Sequence, residues 1–161
     1  MHKLLGLLLL GSLSSCEPAD QFNDVAARAS GRYAIQSYVL NGDTLYKSRG
    51  VNKLGVSEFY VVVDRKGPDS VRVGSVYKTS SETGSHTHIK DVGVSETNGV
   101  FTLTSAISTK LYEGRIEGDV FYEKSLWGGP SIFVLPPAYT VESPADPTTE
   151  GIRITAKKQR F

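Results

Sequence analysis

The chain has 161 residues, 39% of them hydrophobic and 22% charged, with 18 Lys+Arg against 17 Asp+Glu. A near-neutral balance with no basic run argues against nucleic acid as a partner and against a polybasic membrane patch. One cysteine leaves no internal disulfide to form, and no later segment approaches the ~18 apolar residues of a membrane-spanning helix.

The chain opens with Met1-His2-Lys3, a ten-residue apolar run from Leu4 to Leu13, and Ser14-Ser15 leading into the sole cysteine, Cys16. The run is too short to cross a bilayer, which needs roughly 20 apolar residues. Lys3 holds the start on the cytoplasmic side, and the two serines are small enough for a peptidase cleft. Leu13-Ser14-Ser15-Cys16 resembles the lipobox of bacterial lipoprotein signal peptides. The resemblance implies cleavage before Cys16, acylation of its thiol and new amine, and a lipid-anchored place in the cell envelope, by preference the outer membrane. Removing residues 1–15 takes away Lys3 and no acidic residue, which leaves 17 basic against 17 acidic side chains. With Cys16 carrying lipid, the body must be held by packing alone.

Residues 16–30 read as a lipidated tether. Glu17 to Ser30 is polar, and Asn23 to Ala29 has room for one or two helical turns. Residues 31–161 then form one domain, with no internal repeat and no second composition zone.

From Gly31 onward the apolar residues are mostly Val, Ile, Tyr and Phe, in short runs broken by Gly, Asn and Asp. The pattern predicts strands near 31–40, 43–47, 57–65, 70–78, 86–95, 99–105, 109–117, 119–127, 131–135 and 151–157. Asn41-Gly42 and Asn98-Gly99 are two-residue hairpin signals, because a type I′ turn needs φ > 0 at both central positions. Gly118-Asp119 suits a type II′ turn. A turn at Asn98-Gly99 pairs Thr97 with Val100, Glu96 with Phe101 and Val94 with Leu103. Val92, Val94, Phe101 and Leu103 then share one face, and Gly93, Ser95, Thr102 and Thr104 the other. A turn at Gly118-Asp119 pairs Ile116 with Phe121, Arg115 with Tyr122 and Glu113 with Lys124.

Consecutive hairpins predict an all-β fold: a single antiparallel up-and-down barrel of about eight to ten strands, with a β-sandwich as the alternative. The alternating segment Gly151 to Lys157 is placed to pair with the first strand and close the ring. Gly31-Arg32-Tyr33 resembles the Gly-x-Trp start of lipocalin-like barrels, with Tyr where that family has Trp. The resemblance implies a cation from the last strand, Lys158 or Arg160, packed over Tyr33. It also implies a cavity able to hold one small apolar or amphipathic ligand.

Several residues are candidates for chemistry. His86 and His88 lie two apart on a strand, on one face and about 7 Å apart, a spacing that two imidazoles need to share a zinc or copper ion. Strict alternation back from Val92 and Val94 turns them inward and Ile89 outward; a bulge near Asp91 to Gly93 reverses this. Glu113, Glu117, Asp119 and Glu123 form an acidic cluster whose simplest reading is a charged outer surface. Tyr112, Ile116, Phe121 and Trp127 share one face of the 109–127 hairpin and are the ligand-lining candidates. The proline-rich connection 136–150 is placed as a loop near a barrel mouth. No catalytic residue is assigned: there is no Gly-x-Ser-x-Gly elbow, no thiol and no phosphate-binding glycine loop. No cofactor is expected. The leading expectation is non-catalytic binding of a small ligand inside the barrel. The second is an accessory envelope protein that binds a protein or glycan through its outer surface.

Overall fold

Asn41 and Asn98 both adopt positive φ, 49° and 52°, and each is followed by a glycine at positive φ, 82° and 79°. These are the backbone angles of type I′ turns, and they set the register of the strands on either side. The computed structural model describes residues 22–105, 112–126 and 150–160. The signal segment with Cys16, Trp127, the expected strand at 131–135 and nearly all of the 136–150 connection lie outside the described residues. Tyr112 is described through its strand position only.

A short helix, α1 (Val25–Ala29), precedes ten strands. They are β1 (Gly31–Leu40), β2 (Asp43–Lys47), β3 (Val51–Asn52), β4 (Val56–Gly67), β5 (Ser70–Thr79), β6 (His86–Thr97), β7 (Val100–Thr104), β8 (Tyr112–Glu117), β9 (Val120–Leu126) and β10 (Glu150–Lys158). All pairings are antiparallel. The sheet runs in the order β10-β9-β8-β7-β6-β5-β4-β1-β2-β3, and β10 also pairs with β1. Eight strands therefore close into a barrel, and β2 and β3 extend from it. The β1–β10 ladder runs from Tyr33↔Lys158 to Leu40↔Ile152. This closure excludes the sandwich.

The hairpin registers are those the turn chemistry predicts. Thr97 pairs with Val100 and Val94 with Leu103; Ile116 pairs with Phe121 and Glu113 with Lys124. Gly118 has a φ of 55°, while Asp119 keeps a negative φ, the pattern of a type II′ turn. Val92, Val94 and Leu103 are buried, and Ser95, Thr102 and Thr104 are exposed.

β1 carries a feature that alternation does not foretell. Its pairing with β10 shifts between Ile35 and Ser37. The inward set therefore changes from Tyr33 and Ile35 to Tyr38 and Leu40, all of them buried. The bulged Gln36 is held on both sides, donating to the Ala34 carbonyl and accepting from the Ser48 hydroxyl. The bend lets one strand serve two neighbours. Residues 31–34 pair with β4 and residues 37–40 with β2.

One end of the barrel is plugged. Asp24 caps α1 by accepting from the Ala27 amide, and the same carboxylate binds Arg65 on β4. Ala26 and Ala29 are fully buried against the barrel, and Arg28 pairs with Glu96 on β6. Residues 24–30 are thus part of the folded body. Under the helix lie Tyr33, Val63, Val71, Val73, Ile116 and Phe121, each no more than 1% exposed. At that end the chain turns at 68–69, 98–99 and 118–119. The opposite end carries the 41–42 turn and the 80–85 loop, and it is where the chain leaves β9 and re-enters β10.

Candidate functional site

The site is assembled by β6. Its ladder with β5 runs without a register shift from Ser70↔Gly93 to Tyr77↔His86. With no bulge, strict alternation holds along the whole strand. His86, His88, Lys90, Val92, Val94 and Glu96 point inward, and Ile89 points out, 61% exposed. Two histidines and a lysine therefore enter the barrel on one strand, the histidines in the half away from α1.

Lys90 is met by Glu123. On β9, Glu123 lies on the same face as Phe121, with Gly114 and Ile154 as its cross-strand partners. Gly114 contributes no side chain, so β8 does not crowd the carboxylate. The Lys90 Nζ is 4.0 Å from Glu123 Oε1, with side-chain exposures of 15% and 0%. Burial pushes the Lys90 ammonium down to about 8, and the Glu123 carboxylate partly offsets that shift. Two opposite charges thus sit at mid-depth between the end covered by α1 and the end that carries the 80–85 loop. Ser75, fully buried on β5, lies beside His88 on the neighbouring strand.

The acidic cluster separates accordingly. Glu113 and Glu117 are exposed, and Asp119 binds Arg160 at 2.8 Å on the outside. Glu123 is the exception to the outer-surface reading: it is 2% exposed and faces the interior. The hairpin register already puts it opposite Glu113 in facing, because residues two apart on β9 share a face. A shallow groove of about 280 Å³ runs over the outside of β8, β9 and β10, with Glu113, Arg115, Tyr122 and Lys124 among its lining residues.

Nearer the 80–85 loop, the Tyr77 and His86 rings stack, 4.9 Å between centroids and 17° between planes. His86 Nε2 is 3.0 Å from Glu82 Oε1, and Glu82 also accepts from the Thr79 hydroxyl at 2.6 Å. Those two bonds, the threonine's first, hold the Glu82 carboxyl below its ordinary range. A depression of about 390 Å³ follows the loop, lined by residues 81–86. His86 is therefore engaged by its own loop, while His88 sits one layer deeper. Among the described residues, no group of three or more His, Cys, Asp or Glu side chains converges on a metal-sized space.

Of the ligand-lining candidates, Ile116 and Phe121 are buried inside the barrel at 1% and 0% exposure, directly opposite each other. They pack in the plugged half, where the Phe121 ring lies 5.9 Å from that of Tyr33. Tyr112 shares their register face, opposite Ser125 at the far end of the hairpin from its turn.

The plugged end carries a cation–aromatic contact. Lys158 Nζ lies 5.7 Å from the Tyr33 ring centroid. The Tyr33 hydroxyl donates to the Ala29 carbonyl at 2.8 Å, which ties the strand to α1. Burial pushes the Tyr33 phenol up to about 12. A Cβ at position 31 would stand 2.5 Å from Lys158 Cε, so glycine there makes room for the lysine. Of the two basic residues expected near this ring, Lys158 covers it, while Arg160 turns to Asp119.

No family model matches the chain, and neither the curated proteins nor the solved structures provide a significant match. Function therefore rests on the site itself.

Lys90 is the residue that motif reading passes over. The signal for it is plain once alternation is followed past the histidines, through positions 86, 88, 90, 92 and 94. The strand places His86, His88 and Lys90 on the same inward face as the buried Val92 and Val94.

Proposed function

We propose that this is a lipid-anchored protein of the bacterial envelope whose barrel binds a small amphipathic ligand without catalysis. The observation that carries the reading is the Lys90–Glu123 pair inside a barrel plugged at one end. A purely structural barrel gains little from such a pair. Desolvating two charges costs several kcal/mol, and apolar replacements of similar volume are often at least as stable. A charged pair at mid-depth instead supplies a donor and an acceptor for the polar end of a ligand. In this reading the rest of the molecule meets the apolar side chains of Tyr38, Leu40, Phe59 and Ile152, which belong to the buried core. The pair has no net charge, which favours a zwitterionic or neutral hydrogen-bonding end group over a lone anion.

The envelope address is supported by the Leu13 to Cys16 motif, and the membrane is then the partner through lipid on Cys16. The alternative, recognition of a protein or glycan by the outer surface, has Ile89 in its favour. One exposed isoleucine is well short of the few hundred Å² of contiguous apolar surface that marks an interface.

The test is calorimetric titration of the mature chain with dodecylphosphocholine, dodecanoate and dodecylamine below their micelle concentrations. The zwitterion is expected to bind best, and the Lys90→Met/Glu123→Leu double variant to bind it at least tenfold more weakly while keeping its fold. If none of the three binds, and native mass spectrometry of protein purified from cells finds it bare, the ligand reading fails.

A further inference from the structure

We infer that the interior pair is a carbonyl-capture site, in which the Lys90 amine takes an aliphatic aldehyde as an imine and Glu123 serves the proton transfers. The assignment rests on the reading of that pair as facing a ligand; what is new is a covalent bond and a ligand class.

The amine is reached from inside the barrel. Lys90 points inward on β6, whose ladder with β5 has no register shift. Its side chain is 15% exposed, against 0% for Glu123. His88, the next inward residue on the strand, is also only partly buried. Surface left on inward-facing side chains opens on space within the wall, so solvent-sized room adjoins this row. The cross-strand partner of Lys90 is Val73, and Glu123 lies between Gly114 and Ile154. The glycine brings no side chain and the other two are aliphatic, surroundings that suit an unbranched alkyl chain.

An aldehyde is a neutral hydrogen-bonding end group, the kind the pair favours, and it is also an electrophile. Lysine attacks a carbonyl only as the neutral amine, which burial favours. Lys90, pushed down to about 8, is roughly one quarter neutral near pH 7.5, whereas an exposed lysine is about 0.1% neutral. Lys53 and Lys66 also face carboxylates, of Asp43 and Asp91, but they are half-exposed to water.

The step balances without an oxidant or reductant. The Lys90 Nζ bonds to the carbonyl carbon, and the carbonyl π pair moves to the oxygen. One proton passes from nitrogen to that oxygen, giving a carbinolamine. A second proton, the one the ammonium gave up before attack, reaches the oxygen as the C–O bond breaks and water leaves. The nitrogen lone pair closes the C=N bond. Aldehyde and ammonium thus become iminium and water, with one positive charge before and after. Glu123 Oε1, 4.0 Å from Nζ, is placed to hold the proton between nitrogen and oxygen. The carboxylate then faces the iminium as it faced the ammonium, so capture leaves the charge balance of the interior unchanged.

Reductive trapping tests it. The mature chain near pH 7.5 is treated with hexanal and sodium cyanoborohydride, which reduces the iminium to a stable secondary amine, and labelled residues are mapped by mass spectrometry. Lys90 is expected to be labelled at least tenfold faster than Lys53 or Lys66, and the preference to vanish in urea. Glu123→Gln, checked for fold by circular dichroism, is expected to slow Lys90 labelling at least fivefold, even though losing the carboxylate leaves more of the amine neutral. Burial acting alone gives the opposite sign. Labelling of Lys90 no faster than that of Lys53 and Lys66 in the folded chain overturns the inference, and faster labelling in Glu123→Gln overturns the part given to the carboxylate. Titration with the dodecyl amphiphiles reads the ligand proposal separately. Pair-dependent amphiphile binding without fast Lys90 labelling strikes covalent capture alone, and fast Lys90 labelling without amphiphile binding strikes the amphiphile reading alone.

Discussion

The Lys90 ammonium faces the Glu123 carboxylate across the interior of the barrel, 4.0 Å away, with β7 and β8 lying between their strands in the sheet. The two residues are 33 positions apart in sequence and share no ladder. Only closure of the ring brings them together. The pair sets the polarity of the interior, and removing either half exposes what it does there.

Breaking the pair is costly, and removing it whole is not. Glu123→Leu leaves a buried ammonium without its counter-charge, and the expected loss is about 3 kcal/mol of unfolding free energy. The Lys90→Met/Glu123→Leu double variant should lose less than either single variant. Urea denaturation of the four proteins at pH 7 gives the coupling.

The pH dependence has a definite sign. Lys90 titrates near 8 when folded and near 10.5 when unfolded. Between those values the unfolded chain holds the extra proton, so stability rises with pH. The rise from pH 8 to 10 should amount to about 2 kcal/mol from this one group. Above pH 10 the buried Tyr33 phenol, held at about 12, reverses the slope, because the unfolded tyrosine loses its proton first. Urea midpoints of the natural protein measured against the double variant isolate the lysine. A flat difference across pH 8–10 contradicts the assignment.

Tyr33 joins the plug to the barrel. Tyr33→Phe removes the bond to the Ala29 carbonyl and leaves that buried acceptor unmet, at an expected cost of about 1–2 kcal/mol. Amide exchange in residues 25–30 should speed up more than exchange in β5. Gly31→Ala reaches the same region from the other side, since it must displace Lys158 from the Tyr33 ring.

The Asn98-Gly99 turn is under strict conformational control. Gly99→Val puts a β-branched residue at a φ of 79° and is expected to cost about 1–2 kcal/mol. The same substitution at Gly67, whose φ is not in that region, lacks this penalty, while its Cβ would stand 2.7 Å from the Ser70 hydroxyl oxygen. Thermal unfolding of the two variants distinguishes backbone strain from crowding.

Local features of the chain were legible without a structure. Asn98-Gly99 and Gly118-Asp119 specify backbone angles at two adjacent residues, and from those angles the pairings Val94↔Leu103 and Ile116↔Phe121 follow by counting. Alternation turned His86 and His88 inward only if no bulge fell near Asp91 to Gly93, and it was the unshifted β5–β6 ladder that decided this. Closure between β1 and β10 was readable only as a match of two alternating segments.

The tertiary structure decided three things that no local pattern encodes. The Gln36 bulge switches the inward set of β1, because one strand must bend to serve both β4 and β2. The stretch expected as tether becomes, from Asp24 onward, a plug, because Arg65, Pro68 and Glu96 converge on it from positions 41, 42 and 68 or more residues away. Lys90 and Glu123 become partners because eight strands, curling under their own twist, bring the faces of β6 and β9 together across the axis. The sequence by itself determined turns, alternation, the strand list and the Cys16 motif, all of which depend on neighbours along the chain. Which of those neighbourhoods meet was decided by closing the sheet, and that is where the candidate site was made.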